Sequence, residues 1–333
     1  MKVLRILAFP ISILYALVVH IRNFLFDTGI FKSKEFRTPT ICVGNLSAGG
    51  TGKTPMIEYL IKMLKTTNEV AVLSRGYGRK SVGYHSTESD LTVEELGDEP
   101  FQIHAKYPDI LVAVDADRRN GIAIIENTSN TDVILLDDAF QHRKVKPTFA
   151  ILLTSYGKLY CNDWYLPTGN LRDSKREAKR ANILIVTKCP EDLSELEKKN
   201  IISDLKPKLN QKVLFSFLHY QQQLMGGPVK LSLTEIKNKK ITLVTGIANP
   251  KPLVTFLNSE GISFEHLNFS DHHFFSNKEI EHFNSKEFIL TTEKDFVRLK
   301  GRVKNMYYIA ITHQFLDDGA EVLAKQINQI LKQ

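Results

Sequence analysis

Short apolar runs recur along the chain at 40–43, 70–73, 110–114, 133–136, 149–153 and 183–186, separated by stretches whose apolar residues fall at helical spacing. Runs of this length, rich in Val, Ile and Leu and not alternating with polar residues, predict strands buried on both faces. The helical stretches supply the crossovers a parallel sheet needs, so the pattern predicts an α/β domain with helices on both sides of its sheet. Between Val213 and Leu218 the pattern turns to alternation, and Gly226-Gly-Pro228 then breaks it, which predicts a two-stranded hinge. A second α/β unit opens on a strand at Ile241 and continues through a helix over Lys251 to Ser259 and a strand over Phe288 to Thr291. The predicted division is an N-terminal helix in 1–33, a larger sheet domain in 34–212, a hinge in 213–229 and a smaller C-terminal α/β domain in 230–333.

Upstream of the sheet, Leu7, Ile11, Leu14, Val18, Ile21 and Leu25 lie three or four residues apart and form one stripe on a helix. The apolar run from Ile6 to Val19 is shorter than a comfortable bilayer span. Lys2, Arg5, Arg22, Lys32, Lys34 and Arg37 surround it, which suits a helix lying in an interface of acidic head groups. A core helix would carry the same stripe. A secretory signal would have the same basic start, but no small-residue cleavage site follows Val19.

The sharpest chemical signal follows the first strand. Val43-Gly-Asn-Leu-Ser-Ala-Gly-Gly-Thr-Gly-Lys-Thr-Pro55 reads as strand, glycine-rich loop and helix. Such a loop wraps backbone N–H groups round a polyphosphate and delivers it to a helix N-terminus. Ser47, Ala48, Gly49, Gly50, Thr51 and Gly52 form the cradle, Lys53 supplies an ammonium and Thr54 a hydroxyl suited to Mg²⁺. The usual leading glycine is replaced by Ser47. Val133-Ile-Leu-Leu-Asp-Asp138 ends a strand in carboxylates, and Asp137 is the candidate to hold Mg²⁺ opposite Thr54, with Gln141 and His142 pointing into the same cleft.

Other strand ends carry weaker signals. Arg75 and Arg79 sit in a glycine-bearing turn, where guanidinium groups grip phosphate or are simply solvated. Asp115, Asp117 and Arg118 repeat the theme. Glu94-Glu-Leu-Gly-Asp-Glu-Pro100 reads either as a solvated helix start or as the site of a carboxylate that takes a proton from an attacking hydroxyl. Asp271-His-His273 lacks a third metal-ligand group nearby and fits a histidine assisting proton transfer, or a solvated turn.

Composition narrows the class. A chain of 333 residues that is 43% hydrophobic supports two cores and excludes a disordered protein. A net charge of +7 suits an anionic partner without choosing among nucleotide, phosphorylated substrate, acidic lipid and nucleic acid. Cys42, Cys161 and Cys189 form no C-x-x-C pair, which argues against a disulfide framework or zinc site and fits a reducing cytosol.

Taken in order, these stretches resemble the tetraacyldisaccharide 4'-kinase family of lipid A biosynthesis. The resemblance is carried by the loop from Val43 to Pro55, Ser74-Arg-Gly-Tyr-Gly78, Gly97-Asp-Glu-Pro100, Asp117-Arg118, Asp137-Asp-Ala-Phe-Gln-His142, Leu166-Pro-Thr-Gly-Asn-Leu-Arg172, Asp271-His-His273 and Thr292-Glu-Lys-Asp295, over nearly the whole chain. It implies a P-loop NTPase-type parallel-sheet domain and a smaller C-terminal α/β domain, joined by a two-stranded hinge and closing over ATP and Mg²⁺. It also accounts for Ser47, since the family's loop characteristically lacks the leading glycine.

The implied reaction moves the γ-phosphate of ATP to the 4'-hydroxyl of an acylated glucosamine disaccharide 1-phosphate. Lys53, Asp98 and His272, preferred over His273, are the implied catalytic groups, with Thr54 and Asp137 on the metal. Arg75, Asp117, Arg118, Asp138, Gln141 and Arg172 are the candidate substrate or phosphate contacts. The implied setting is a monomer held by its N-terminal helix on the cytoplasmic face of the bacterial inner membrane, with no nucleic-acid partner. Two departures stand out: Asp173-Ser174 where the family has Glu-Pro, and Ala139 where glycine often follows the paired aspartates. The rival class is a P-loop GTPase or ATPase switch in membrane-protein delivery, for which Thr187-Lys188 is a poor match to the guanine-reading Asn-Lys-x-Asp.

Overall fold

The apolar runs become strands because each carries β-branched or leucine side chains to both faces of a sheet that is covered twice over. The structure, a computed structural model, describes residues 2–89, 91–271 and 273–332. Its first half holds β1 (Thr40–Asn45), β2 (Val70–Ser74), β3 (His85–Ser86), β4 (Leu111–Val114), β5 (Val133–Asp137), β6 (Phe149–Ser155) and β7 (Ile183–Thr187). Helices α1 (Lys2–Leu7), α2 (Phe9–Asp27), α3 (Lys53–Leu64), α4 (Val93–Leu96), α5 (Asp98–Lys106), α6 (Arg118–Thr128) and α7 (Glu195–Leu205) alternate with them. The second half holds β8 (Lys212–Met225), β9 (Leu231–Ser232), β10 (Ile241–Thr245), β11 (Phe264–Asn268), β12 (Phe288–Thr292) and β13 (Met306–Phe315), with α8 (Lys251–Ser259), α9 (Asn277–Asn284), α10 (Glu293–Leu299) and α11 (Gly319–Leu331).

All strands join one sheet in the order β11-β10-β12-β13-β8-β7-β6-β1-β5-β2-β4-β3, with β9 beside β8. In the first half Ile41 and Val43 face one core with α3, while Cys42 faces the other with α6, as a period of two requires. Strand β1 lies between β5 and β6, so the chain reverses direction across the sheet there. Ligands of open α/β sheets gather at such a switch point, beyond the strands' carboxyl ends.

One long strand sets the relation of the halves. The first residues of β8 run parallel to β7, as Lys212 opposite Ile183, and its later residues run antiparallel to β13, as Ser216 opposite Phe315 and Met225 opposite Tyr308. Because β12 and β10 run parallel to β13, their direction opposes that of the first half's strands. The carboxyl edge of the second sheet region therefore faces the carboxyl edge of the first, with α5 and α10 meeting between them. The second strand of the connection is thus β13, distant in sequence, rather than a segment within 213–229. Helix α11 also returns to the first half, placing Leu323 and Ile327 in the core beneath α3, so that 230–333 is not a self-contained unit.

Helix α2 matches the predicted stripe but with its polarity reversed relative to a core helix. Ser12 and Asn23 are buried together with Val19, while Ile11, Leu14, Val18 and Ile21, and Leu7 at the end of α1, are all more than half exposed. Over an 18-residue window of its 19 residues the mean hydropathy is 1.6, so by length and composition it could cross a membrane, although the apolar run had read as too short. Its polar side is fastened to the fold. Ser12 Oγ donates to Thr168 Oγ1 at 2.8 Å, Tyr15 OH to Arg172 O at 3.0 Å, and Asn23 Nδ2 to Asp173 Oδ1 at 2.7 Å.

Candidate active site

The loop after β1 turns sharply at two glycines with specific demands. A Cβ on Gly44 would come within 2.5 Å of the Phe140 Cβ, so the strand end can lie against the 138–141 turn only without a side chain. Gly52 caps α3 at a φ of 86°, a left-handed conformation that favours glycine, with no side chain bonded to the helix start. The first-turn amides of α3 and its positive dipole end therefore face the loop. Asn45 Nδ2 donates to Gly49 O at 3.3 Å, Lys188 Nζ to Gly50 O at 2.5 Å and Thr187 Oγ1 to Thr51 O at 2.8 Å. These bonds tie down the carbonyls of Gly49, Gly50 and Thr51, and two loop amides are also taken, Ala48 N donating to Asn170 O at 2.6 Å and Thr51 N to Gly49 O at 3.0 Å. The buried Ser47 Oγ and Thr51 Oγ1 have no bonding partner among the described residues.

Asp137 ends β5 beside this loop. Ser74 Oγ donates to its Oδ2 at 3.0 Å, while Oδ1 is buried with no bonding partner among the described residues. Burial, with Glu99 and Asp138 nearby, pushes its carboxyl up to about 7. A buried carboxylate missing a partner and raised by its own kind is a site shaped for a cation, and Thr54 stands within the facing helix start. Asp138, at a φ of 44°, accepts both Arg172 Nη1 and Nη2 at 3.0 and 2.8 Å and lies 3.7 Å from Lys53 Nζ. Burial pushes that carboxyl up, but Arg172 and Lys53 bring it below the usual range.

Across the cleft, Asp98 opens α5 after Gly97, itself at a φ of 91°. Glu99, the next residue, is near enough to Asp137 to raise its carboxyl. Asp98 is held by Arg298 of α10, whose Nε donates at 3.1 Å with Nη2 beside it. His272 lies outside the described residues. His273 turns to Glu279, at 3.0 Å, and stacks on Phe269.

The remaining candidates divide. Arg75 is exposed at the end of β2, near enough to Arg118 to influence it. Arg118 is only 2% exposed and donates to Asp115 O at 3.0 Å and Asp137 O at 3.4 Å, so it braces the strand ends from beneath. Asp117 caps α6 through Arg119 N at 3.1 Å and pairs with the Arg119 side chain. Gln141 Nε2 donates to Asn45 O at 2.5 Å, while Gln141 O accepts from Arg22 of α2 at 2.9 Å. Arg172 braces Asp138 and Asn45. Asp117, Gln141 and Arg172 thus support the walls in this state rather than lining an open phosphate position.

The sequence marks Ser74 only as the start of Ser74-Arg-Gly-Tyr-Gly78, without a role, and does not single out Arg298 or His313. His313 of β13 is buried between Ser216 Oγ, at 3.1 Å from its Nδ1, and Gly52 O, at 2.9 Å from its Nε2. Nothing in the local pattern marks it. Arg298 had one signal, its place three residues after Asp295 on the same side of a helix.

A profile of the family described as tetraacyldisaccharide-1-P 4'-kinase matches residues 4–332. The chain is 50% identical over 323 residues to the tetraacyldisaccharide 4'-kinase of Flavobacterium johnsoniae, covering 95% of this chain and 94% of that one. It is 43% identical over 311 residues to the protein of the same name from Bacteroides thetaiotaomicron, covering 87% and 82%. Among solved structures it is similar to LpxK from Aquifex aeolicus in complex with ATP, with a TM-score of 0.82 at 30% identity, covering 98% of this chain and 99% of that one.

Proposed function

The chain belongs to the tetraacyldisaccharide-1-P 4'-kinase family, and from that premise we propose how its residues carry the reaction. The enzyme transfers the γ-phosphate of ATP to the 4'-hydroxyl of a tetraacyldisaccharide 1-phosphate in lipid A biosynthesis. The observation that supports this reading best is the meeting, at the carboxyl edge of the first sheet region, of the glycine-rich loop, Asp137 with its Oδ1 unpartnered among the described residues, and Asp98 held by Arg298 from the second region.

ATP lies with its phosphates on the amides from Ser47 to Thr54. Lys53, now 3.7 Å from Asp138, offsets charge on the transferring phosphate. Thr54 and Asp137 would hold Mg²⁺, which when bound neutralises phosphate oxygens. Asp98, assisted by His272, accepts the proton of the 4'-hydroxyl as its oxygen attacks phosphorus in line and ADP departs. Exposed Arg75, with no hydrogen bond or ion pair among the described residues, is a guanidinium available to the phosphate or the acceptor. Arg118 acts from beneath Asp137, while Asp117, Gln141, Arg172 and Asp138 hold the site's shape around the acceptor. Bending at β8 and β13 brings the first half together with the sheet region built on β10, β11 and β12.

Helix α2 lies in the cytoplasmic leaflet surface of the inner membrane, with the enzyme acting as a monomer on a substrate whose acyl chains stay in the lipid. The switch reading is weaker, since the position of the guanine-reading carboxylate is Pro190. The test is transfer of labelled γ-phosphate from ATP to a purified acyl-disaccharide 1-phosphate in detergent, with the product mapped to the acceptor hydroxyl. ATP consumption at background with no phosphorylated lipid would sink the proposal.

A further inference from the structure

We propose that Arg298 is the positioning residue for Asp98, and that the Thr292-Glu-Lys-Asp295 segment exists to hold it. The inference rests on the reading of Asp98 as the group that takes the hydroxyl proton.

The geometry runs as an unbroken line from the second sheet region to that carboxylate. Thr292 ends β12 and caps α10, its Oγ1 accepting from Asp295 N at 3.2 Å and donating to Asp295 Oδ2 at 2.7 Å. Asp295 is wholly buried, and the same Oδ2 accepts Gly246 N, from the turn after β10, at 2.9 Å. Its Oδ1 accepts Arg298 Nη1 at 3.2 Å, and the same nitrogen reaches Gly246 O at 3.4 Å. Only 9% of the Arg298 side chain is exposed, so the guanidinium has its plane fixed before it reaches Asp98. Nε and Nη2 then face one oxygen of Asp98. A planar fork anchored at its back is the donor best able to fix a carboxylate's direction.

The far end of α5 is tied to the same helix. Lys106 Nζ donates to Glu293 Oε2 at 2.9 Å and pairs with Glu58 of α3, which also accepts Gln102 Nε2 at 3.0 Å. Helix α5 is thus gripped at both ends by α10 and along its length by Glu58 of α3, so both halves of the molecule set where Asp98 points. Closure of the halves and orientation of the base become one event. Thr292, Asp295 and Arg298, spaced by three, meet this need because they share one side of a short helix.

The experiment is a double-mutant cycle in the full chain, reading kcat and KM separately with a detergent-dispersed acceptor. Arg298→Gln should lower kcat on the order of a hundredfold, as a small misplacement of a reacting group does, with KM for ATP little changed. In an Asp98→Asn background, where excess enzyme measures the residual rate, the same substitution should cost less than about threefold. An additive loss there would mean that Arg298 touches the transferring phosphate directly, and would overturn the proposal, as would unchanged kcat in Arg298→Gln. Wild-type turnover in Asp98→Asn alone would instead remove the base assignment and this inference with it. If Arg298→Gln does not fold, Arg298→Lys carries the test. It keeps the charge but not the fork, and should retain KM while losing kcat in the wild-type background only; kcat equal to wild type would overturn the role.

Discussion

Helices α2 and α3 follow opposite rules. Helix α3 buries Met56, Ile57, Leu60, Ile61 and Leu64 and presents its polar start to the phosphate loop, the arrangement expected when water lies on the other side. Helix α2 buries Ser12 and Asn23 and turns Ile13, Leu14, Leu17, Val18, Ile21 and Phe24 outward. The same rule, that an apolar face seeks an apolar neighbour, produces both, provided the medium beyond α2 is lipid. One helix is bound into the fold by its apolar side chains, the other largely by hydrogen bonds from its polar side.

This contrast can be broken at several points. The largest effect belongs to α3: Lys53→Ala should reduce turnover at limiting ATP on the order of a thousandfold, whether the acceptor is presented in detergent or in vesicles. Equal rates for variant and wild type would remove the loop from phosphate transfer. On α2, Leu17→Ser should weaken partition onto acidic lipid vesicles about tenfold, the scale of one buried leucine, while melting temperature in detergent-free buffer barely moves. A clear drop in melting temperature with unchanged partition would make α2 an ordinary packing helix.

Smaller effects probe how each helix is held. Asp173 is wholly buried and accepts Asn23 at 2.7 Å, Ser174 N at 2.8 Å and Arg22 at 3.4 Å. Asp173→Ala should cost about 1–3 kcal/mol in chemical denaturation and leave KM for ATP unchanged, because it strands the polar partners of α2 rather than the phosphate loop. Behind α3, burial pushes His313 down to about 4. The unfolded chain takes up that proton near its ordinary value of about 6.5. Since the native state then binds fewer protons, His313 removes stability as pH falls from about 6.5 to 4, at up to about 1.4 kcal/mol per unit. His313→Gln should flatten denaturation midpoints over that window, and an identical slope would show that another group controls it.

Much of this was legible in the residues. The strands from Thr40 to Thr187 were, except the two-residue edge strand His85–Ser86, because a doubly covered strand announces itself by an unbroken apolar run. The loop at Ser47 to Thr54 and the carboxylate at Asp137 were, because each is set by a local strand-to-turn geometry. Asp98 was ambiguous by itself, and its grip by Arg298, 200 residues away, is a tertiary fact with no local signature. The pairing of β8 with β13 escaped for the same reason. Asp117 and Gln141 show the converse: acidic and amide side chains at strand ends look alike in sequence whether they meet a ligand or cap a helix. The stripe on α2 was visible, but its facing was decided by Asp173 and Thr168, which lie far along the chain.

The outward face of α2 has a practical corollary for anyone handling the protein. In plain aqueous buffer the cheapest cover for so much exposed leucine and isoleucine is a neighbouring molecule, so particles will cluster reversibly and disperse when amphiphile is added. A mass measured without surfactant would then describe the solvent's aversion to that surface rather than a designed assembly.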